Sequence, residues 1–600
     1  MSAQSDHVVH PRAGPTTHDG PNTVGHRRTG LIPSTPLSIV SRFCFAWIDS
    51  IWLALAVSLV VGFIYAVTLI GPAPLNPQNI SWLGWDPADH YIGWELFRQD
   101  PHWHWPLTYT NRVGYPAGES VALMDPNSLL LVSLKPLSPW LPEPFQYFGI
   151  EAVLVCALQF FFSIRFFRLI LGENPIGILL ASLFFLVAPP LAWRLTRHFS
   201  LSNQWLLIGA LLVFFKAQRE SPDTIRSFVV SALALSGLAI AINPYLAVQV
   251  LMVLTATVVS LLWQRRLTLL NGIGFMAVLV AICAVIAYSL GLLIAGGQGY
   301  GAWGYRVYSL NLLAPFDPSL YGSVLARLLP RFSAGPIHSG NYLGAGVIFL
   351  AFLLLVVFAL QKRNPYLFDR RQTVPLLICF LVLTLLALST KVSIGSSTLV
   401  DFDPQQKLTR FLAPLRASER LFWVPYYTFL TAVLATPFVL FRRSQANLLL
   451  AIALLVQLVD TAGLRHWVRW NVNQTQPQPL QTPIWSKLGS VHNNLVVLPA
   501  WQCGRKSSPG GEDGFRIFGL LAAEQRMRTN SYYSARYTAA NFDFHCHQSI
   551  AALAERPLSP DTAYVVTPAL AAVIAQSPTG PGKCHNVDSF ILCSTKLASP

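Results

Sequence analysis

Between Trp85 and Pro106 the chain reads WDPADHYIGWELFRQDPHWHWP, a stretch that gathers groups able to move a proton. Asp86, Asp89 and His90 stand at i, i+3 and i+4, which places them on one face if the stretch is helical. They are the candidate catalytic residues. The same positions also suit a structural part, with Asp86 as N-cap, Pro87 first in the helix and Asp89 third, where a carboxylate favours the positive end of the helix dipole. Asp-Pro recurs at Asp100, Asp125, Asp317 and Asp403, so the pair also serves as punctuation. Tyr91, Trp94 and Phe97 are expected to bury the other faces at a membrane interface, where aromatic rings settle.

Opposite charge collects in 391–421, which carries Lys391, Lys407, Arg410, Arg416 and Arg420. Such a loop can be solvated and paired with Asp401, Asp403 and Glu419. Alternatively its guanidinium forks match phosphate oxygens and clamp an anionic lipid head group beside low-dielectric lipid. Arg197 and His198, in RLTRHFSLSNQW, form a second candidate binding group. Asp125 is a further carboxylate for the site, expected to cap a second short helix. The Gly- and Tyr-rich loop 296–322 has the composition of sugar-contacting loops and of aromatic belts alike, and Trp103 and Trp105 are read as anchors.

These residues need a frame, and composition supplies it. Hydrophobic residues make up 53% of the 600 and charged ones 12%, too little polar surface for a soluble globule of this size. About eleven runs approach the roughly 20 residues that a helix needs to cross hydrocarbon, near 51–70, 146–170, 175–193, 203–216, 227–243, 245–263, 268–294, 342–361, 373–390, 422–441 and 445–463. With the arm bearing Arg27, Arg28 and Arg42 inside, the cytoplasmic connections hold Arg165, Arg168, Lys216, Arg219, Arg226, Arg265, Arg266, Lys362, Arg363, Arg370, Arg371, Arg442 and Arg443, as the positive-inside rule requires. The net charge of +15 is then explained without nucleic acid, for which no binding module is present. The first run is expected to be a retained anchor of a bacterial inner-membrane protein. The outward parts are 71–145, 295–341, 391–421 and everything after 464, so the acidic stretch and the basic loop share one rim.

The expected organisation is a disordered cytoplasmic arm over 1–35, a transmembrane domain over 36–463 and an extracytoplasmic domain over 464–600. Cys503, Cys546, Cys584 and Cys593 all fall in the tail, an even number in a compartment where disulfides persist. Three pairings are possible, and Cys584 with Cys593 and Cys503 with Cys546 are favoured, since CHNVDSFILC suits a hairpin closed by its ends. The strand-like runs LVVLPAW, AYVVTP and SFILCS, with helical GLLAAEQRM and PALAAVIAQ between them, predict a small mixed α/β fold. It carries no nucleophile elbow, P-loop or dinucleotide fingerprint.

A multi-span chain whose long first outward loop begins with the Asp-bearing WDPADHYIGWELFR resembles the GT-C superfamily of membrane glycosyltransferases. PNSLLLVSLKPLSPWL at 126–141, GNYLGAG at 340–346, RASERLFWVPYYTFL at 416–430 and TNSYYSARY at 529–537 look like an uncharacterised bacterial branch of it. The resemblance implies transfer of a sugar from a polyprenyl-phosphate donor to an envelope glycan or lipid acceptor, with membrane lipid around the site. It maps the family's first-loop aspartate onto Asp86, with Asp89 in reserve, as the base that takes the acceptor proton while the anomeric centre inverts. Arg410, Arg416 and Arg420, with Arg197 and His198, would meet the charge on the departing phosphate. No cofactor is expected, and the lack of a D-x-D leaves a divalent metal open. Two other classes fit the same chain: a flippase for lipid-linked sugar, although no repeated halves are visible, and a non-catalytic envelope assembly protein.

Overall fold

The computed structural model describes residues 47–219, 224–294, 304–318, 340–361, 369–403, 416–576 and 583–596. The arm 1–35, Lys407, Arg410 and much of 296–322 lie outside them. Among the described residues ten helices are long and apolar enough to cross a membrane, and a shorter apolar helix, Ala345–Leu360, takes the eleventh expected place. The chain is thus an α-helical polytopic membrane protein carrying a small domain with a mixed sheet.

The membrane part opens with α1 (Ile51–Ile70), capped by Ser50 and stopped at Gly71, whose φ of +73° a side chain would resist. After α2 (Trp85–Arg98) come α3 (Phe148–Leu171), α4 (Pro175–Leu186) prolonged by α5 (Pro189–Arg194), and α6 (Trp205–Ala217). Then follow α7 (Thr224–Ile242), α8 (Pro244–Trp263), α9 (Leu269–Ser289), α10 (Ala345–Gln361), α11 (Arg370–Leu388), α12 (Trp423–Ala435), α13 (Arg443–Asp460) and α14 (Ala462–Asn471). Small residues set the closest crossings: a Cβ at Gly62 of α1 would stand 2.4 Å from the Ala157 amide nitrogen of α3. The GNYLGAG stretch does the same for α10, because a Cβ at Gly346 would meet the Ala453 carbonyl of α13. Gln457 of α13 accepts from the Gly346 and Val347 amides at the start of α10, and Asp460 accepts from Ala345 N and from Tyr342 Oη.

Two hairpins lie outside the helices, β1 (Tyr109–Thr110) with β2 (Glu119–Ser120), and β3 (Lys391–Ile394) with β4 (Ser397–Asp401). The tail forms one sheet from β5 (Asn494–Leu498), β6 (Arg528–Thr529), β7 (Thr562–Val566), β8 (Lys583–Val587) and β9 (Phe590–Ser594), in the order β6-β5-β7-β9-β8. Strand β5 runs parallel to both β6 and β7, and the β8–β9 hairpin closes the sheet antiparallel. Disulfides join Cys584 to Cys593 across that hairpin and Cys503 to Cys546. Cys156, Cys283 and Cys379 are free and buried.

Helix α2 is the piece that positions the site, and its surroundings differ from those expected. Tyr91, Trp94 and Phe97 are buried in protein rather than laid on lipid: Trp94 packs on Phe145 and Tyr147 and Phe97 on Trp103 and Lys135 of the loop that follows, while α15 (Gly514–Glu524) of the tail packs over another face of the helix, at Ile92 and Gln99. A Cβ at Gly519 would stand 2.8 Å from the Ile92 side chain. At the far end of α2 buried polar groups are matched: Arg98 pairs with Glu95 at 3.5 Å and donates to the Pro142 carbonyl, while Trp94 Nε1 donates to Phe145 O.

Candidate active site

Helix α2 starts at Trp85, one residue before the expected cap, with Gly84 in the cap position and no side-chain cap. Asp86 is therefore inside the first turn. Trp85 sits at φ +47°, a region that bulky residues rarely adopt, and its ring is 56% exposed.

The three candidates on α2 have different surroundings. Asp86 lines a cavity of about 220 Å³ that it shares with Arg194, Arg197, His198, Arg416 and Arg420. Its nearest charged-type partner is His198, with Nε2 at 3.7 Å from Oδ2, too long for a hydrogen bond. Asp89, one turn on, is buried: Oδ1 accepts from the Tyr533 amide at 3.0 Å and Oδ2 has no partner. Burial, opposed by that hydrogen bond and reinforced by Asp86 and Asp125, holds its carboxyl well above the usual range. His90 is buried too, and burial pushes its imidazole down. The expected single acidic face is thus divided. Asp86 faces the cavity, and Asp89 is the anchor for a segment of the tail.

Arginines arrive from two connections at one end of the bundle. Arg194 closes α5, lies over the Trp423 ring and stands 4.0 Å from Glu419. Arg197 and His198 follow directly. From the other connection Arg416 Nη1 donates to Ala535 O and Nη2 to Tyr533 Oη, both at 3.0 Å, while the Arg420 guanidinium stacks 5.0 Å over Tyr245 and keeps a buried Nε without a hydrogen bond. His198 is held well below its ordinary value by burial and by Arg420, Arg194, His90 and Arg416. It stays neutral near pH 7 and adds no charge to the site. Among the described residues no Arg or Lys stands within ion-pair distance of Asp86, so a carboxylate and a guanidinium cluster share one cavity without neutralising each other in pairs.

The basic loop divides in two. Asp401 and Asp403 are taken by Arg306, the latter at 2.7 Å, and Lys391 stands 3.9 Å from Asp401, so this end is structural. Asp125 does not cap a helix; it follows the 3-10 turn Val121–Met124 at φ +64°, and Asn127 caps Ser128–Leu134. Its charge still acts on Asp89, His90 and Arg416. The tail closes the cavity with Trp501, Arg505, Phe515 and Tyr533, none of which the sequence singled out individually. Tyr533 lies within TNSYYSARY, where the Asp89 and Arg416 contacts converge. Among the described residues no group of three or more His, Cys, Asp or Glu is gathered to hold a metal ion.

The family model described as a domain of unknown function (DUF6311) matches residues 59–462, and that of the DUF6311 C-terminal domain matches residues 484–595. No curated protein sequence matches the chain significantly. Among solved structures the chain is similar to an oligosaccharyltransferase of Archaeoglobus fulgidus. The apo form is 13% identical, with 81% of this chain and 65% of that chain covered and a TM-score of 0.37. The complex with an inhibitory peptide and a dolichol-phosphate is 13% identical, with 91% and 75% covered and a TM-score of 0.41.

Proposed function

The chain belongs to the DUF6311 family, and we propose that its arginine-rimmed cavity transfers a sugar from a polyprenyl-phosphate carrier to an acceptor hydroxyl outside the cytoplasm. The observation that carries this reading is the meeting of Asp86 with Arg194, Arg197, Arg416 and Arg420 in one cavity at an end of the membrane helices. Asp86 takes the proton of the acceptor hydroxyl as that oxygen bonds to the anomeric carbon. The bond from that carbon to the phosphate oxygen breaks on the opposite side, the phosphate leaves with the electron pair, and the centre inverts. Guanidinium groups fixed in advance stabilise the charge gathering on the phosphate more in the transition state than before it. Asp89 is a positioning residue in this scheme, since Asp86, half-buried at the cavity wall, has the accessible carboxylate. The acceptor is an envelope glycan or lipid, and membrane lipid surrounds the helices.

The test is mass spectrometry of envelope glycans and lipid-linked sugars in cells carrying the wild type, no protein, or Asp86→Asn. Asn retains the shape of the side chain and gives up a dipole contribution of about 0.3–1 kcal/mol, so the variant is expected to accumulate in the membrane. It is expected to abolish the protein-dependent product and leave the lipid-linked donor unconsumed. Full activity would remove Asp86 from the reaction, and an identical glycan profile without the protein would favour a non-catalytic assembly role.

A further inference from the structure

We propose that the turn from Trp501 to Arg505 is a phosphate-contacting arm of the cavity, delivered by the carboxyl edge of the C-terminal sheet and held there by the Cys503–Cys546 disulfide. The proposal rests on the lipid-phosphate reading above and carries the site into the other half of the chain.

The sheet itself points to that edge. Strand β5 has β6 on one side and β7 on the other, both parallel to it. The chain leaves β5, passes through α15 to β6, and then crosses to β7, so the connections diverge beyond the carboxyl end of β5. Ligands of open parallel sheets bind outside the carboxyl ends of the strands. Two segments emerge here, after Leu498 and after Thr529, and both reach the cavity, with Trp501 and Arg505 from the first and Tyr533 from the second. Asn530 ties the second segment back to β5, accepting from Val497 N and donating to Val497 O.

The arm is built to hold a shape. Trp501 Nε1 donates to Glu512 O at 3.1 Å, and its ring packs 5.1 Å from Phe515 and 5.2 Å from Tyr533. The Arg505 guanidinium lies 5.0 Å over that ring, which fixes the plane of the fork before it meets an anion. Between them Gln502 is turned away from the cavity, with both amide atoms out of solvent. Cys503 is next, and its bond to Cys546 spans 43 residues, fastening the arm to the Phe544–Gln548 turn of helix. Arg505 brings a fifth guanidinium to the four from the membrane part, so a phosphate in the cavity is gripped from both halves of the chain.

The experiment is binding of undecaprenyl phosphate, with phosphatidylglycerol as the second lipid, to the purified full chain in phosphatidylcholine nanodiscs. Arg505→Ala and the double variant Cys503→Ser/Cys546→Ser are each expected to weaken undecaprenyl phosphate binding about tenfold, the loss of one charge-assisted contact. Cys584→Ser/Cys593→Ser removes the other disulfide of the same domain and is expected to bind as the wild type. Should the Cys503/Cys546 variant fail to fold, Arg505→Ala decides. Wild-type affinity in Arg505→Ala overturns the arm, as does an equal loss of phosphatidylglycerol binding. Absence of undecaprenyl phosphate binding in the wild type itself would sink the lipid-phosphate reading, and the arm with it; binding by the wild type with no effect of the arm variants sinks the arm alone.

Discussion

The Asp86 carboxylate faces the cavity, whereas that of Asp89, one turn further along α2, is enclosed and bonded to the Tyr533 amide. Asp89 is held above its ordinary range by burial, and His90 and His198 are held below theirs, burial coming first in each case. The pH consequences have opposite signs. A histidine depressed in the folded state contributes stability that is full above its unfolded value, about 6.5, and is lost as pH falls below it, because the unfolded chain takes up protons that the folded chain refuses. A carboxyl raised in the folded state contributes stability that is full below about 3.9 and is lost as pH rises through its folded value. We therefore expect acidification from pH 7 to pH 5 to lower the unfolding midpoint in detergent less, or to raise it more, in His198→Asn than in the wild type. Asp89→Asn keeps an acceptor for Tyr533 and removes the group that resists ionising, so it should match or exceed the wild type at pH 8, while Asp89→Leu should lose about 1–3 kcal/mol for the stranded amide. A pH response unchanged by His198→Asn, or equal destabilisation by Asn and Leu at Asp89, would mean that these groups do not govern the fit of the tail onto α2.

At the scale of elements the connection from Arg416 to Arg420 has two tasks, and substitution by lysine should separate them. Arg416 spans Ala535 O and Tyr533 Oη, which one ammonium cannot reproduce in the same plane, so Arg416→Lys should lower both the unfolding midpoint and the affinity for polyprenyl phosphate. Arg420 stacks on Tyr245, and Arg420→Lys should weaken the affinity about tenfold with the midpoint nearly unchanged. Unaltered binding in both variants would show that the connection is not the donor site. The span pattern is legible in the sequence because hydrocarbon thickness fixes helix length; Arg416 and Arg420 stand out because an outward loop rich in Lys and Arg runs against the charge rule, and Arg197 and His198 because they sit in the short outward turn RLTRHFSLSNQW. Arg194 was concealed as the last residue of an apolar run. Trp501 and Arg505 lie about 300 residues downstream of Arg197, and only the docking of the tail brings them to it. The shift of the cap from Asp86 to Gly84 has a local cause: Trp85, in a left-handed conformation, begins the helix two residues earlier than Asp-Pro suggests. The burial of Trp94 and Phe97 is not legible in the sequence, because it depends on the loop after α2 folding back so that Phe145, Tyr147, Trp103 and Lys135 cover them.

Across the whole molecule charge is sorted between the two ends of the bundle, and the contacts make the sorting specific. Arg168 pairs with Asp49, Arg219 donates to Leu169 O, Arg266 donates to the carbonyls of Ala217 and Arg219, and Arg443 donates to Glu173 O, which ties the segment before α1 and four connections together at the end where α3 and α6 finish and α13 begins. The arginines of the cavity lie at the other end, where α5 finishes, and there the tail docks. Positive loops stay preferentially on the cytoplasmic side, so the first end should face the cytoplasm and the tail should lie outside it, where Cys503, Cys546, Cys584 and Cys593 persist as disulfides. Ser490 is exposed on the tail and Ser444 is exposed at the start of α13. In intact cells a membrane-impermeant maleimide should label Ser490→Cys and spare Ser444→Cys, and permeabilisation should expose the second. The disulfides should also leave the native tail unlabelled until it is reduced. Labelling of Ser444→Cys alone would invert the molecule, put the cavity in a reducing compartment and remove the setting in which a lipid-linked sugar outside the cytoplasm could reach Asp86.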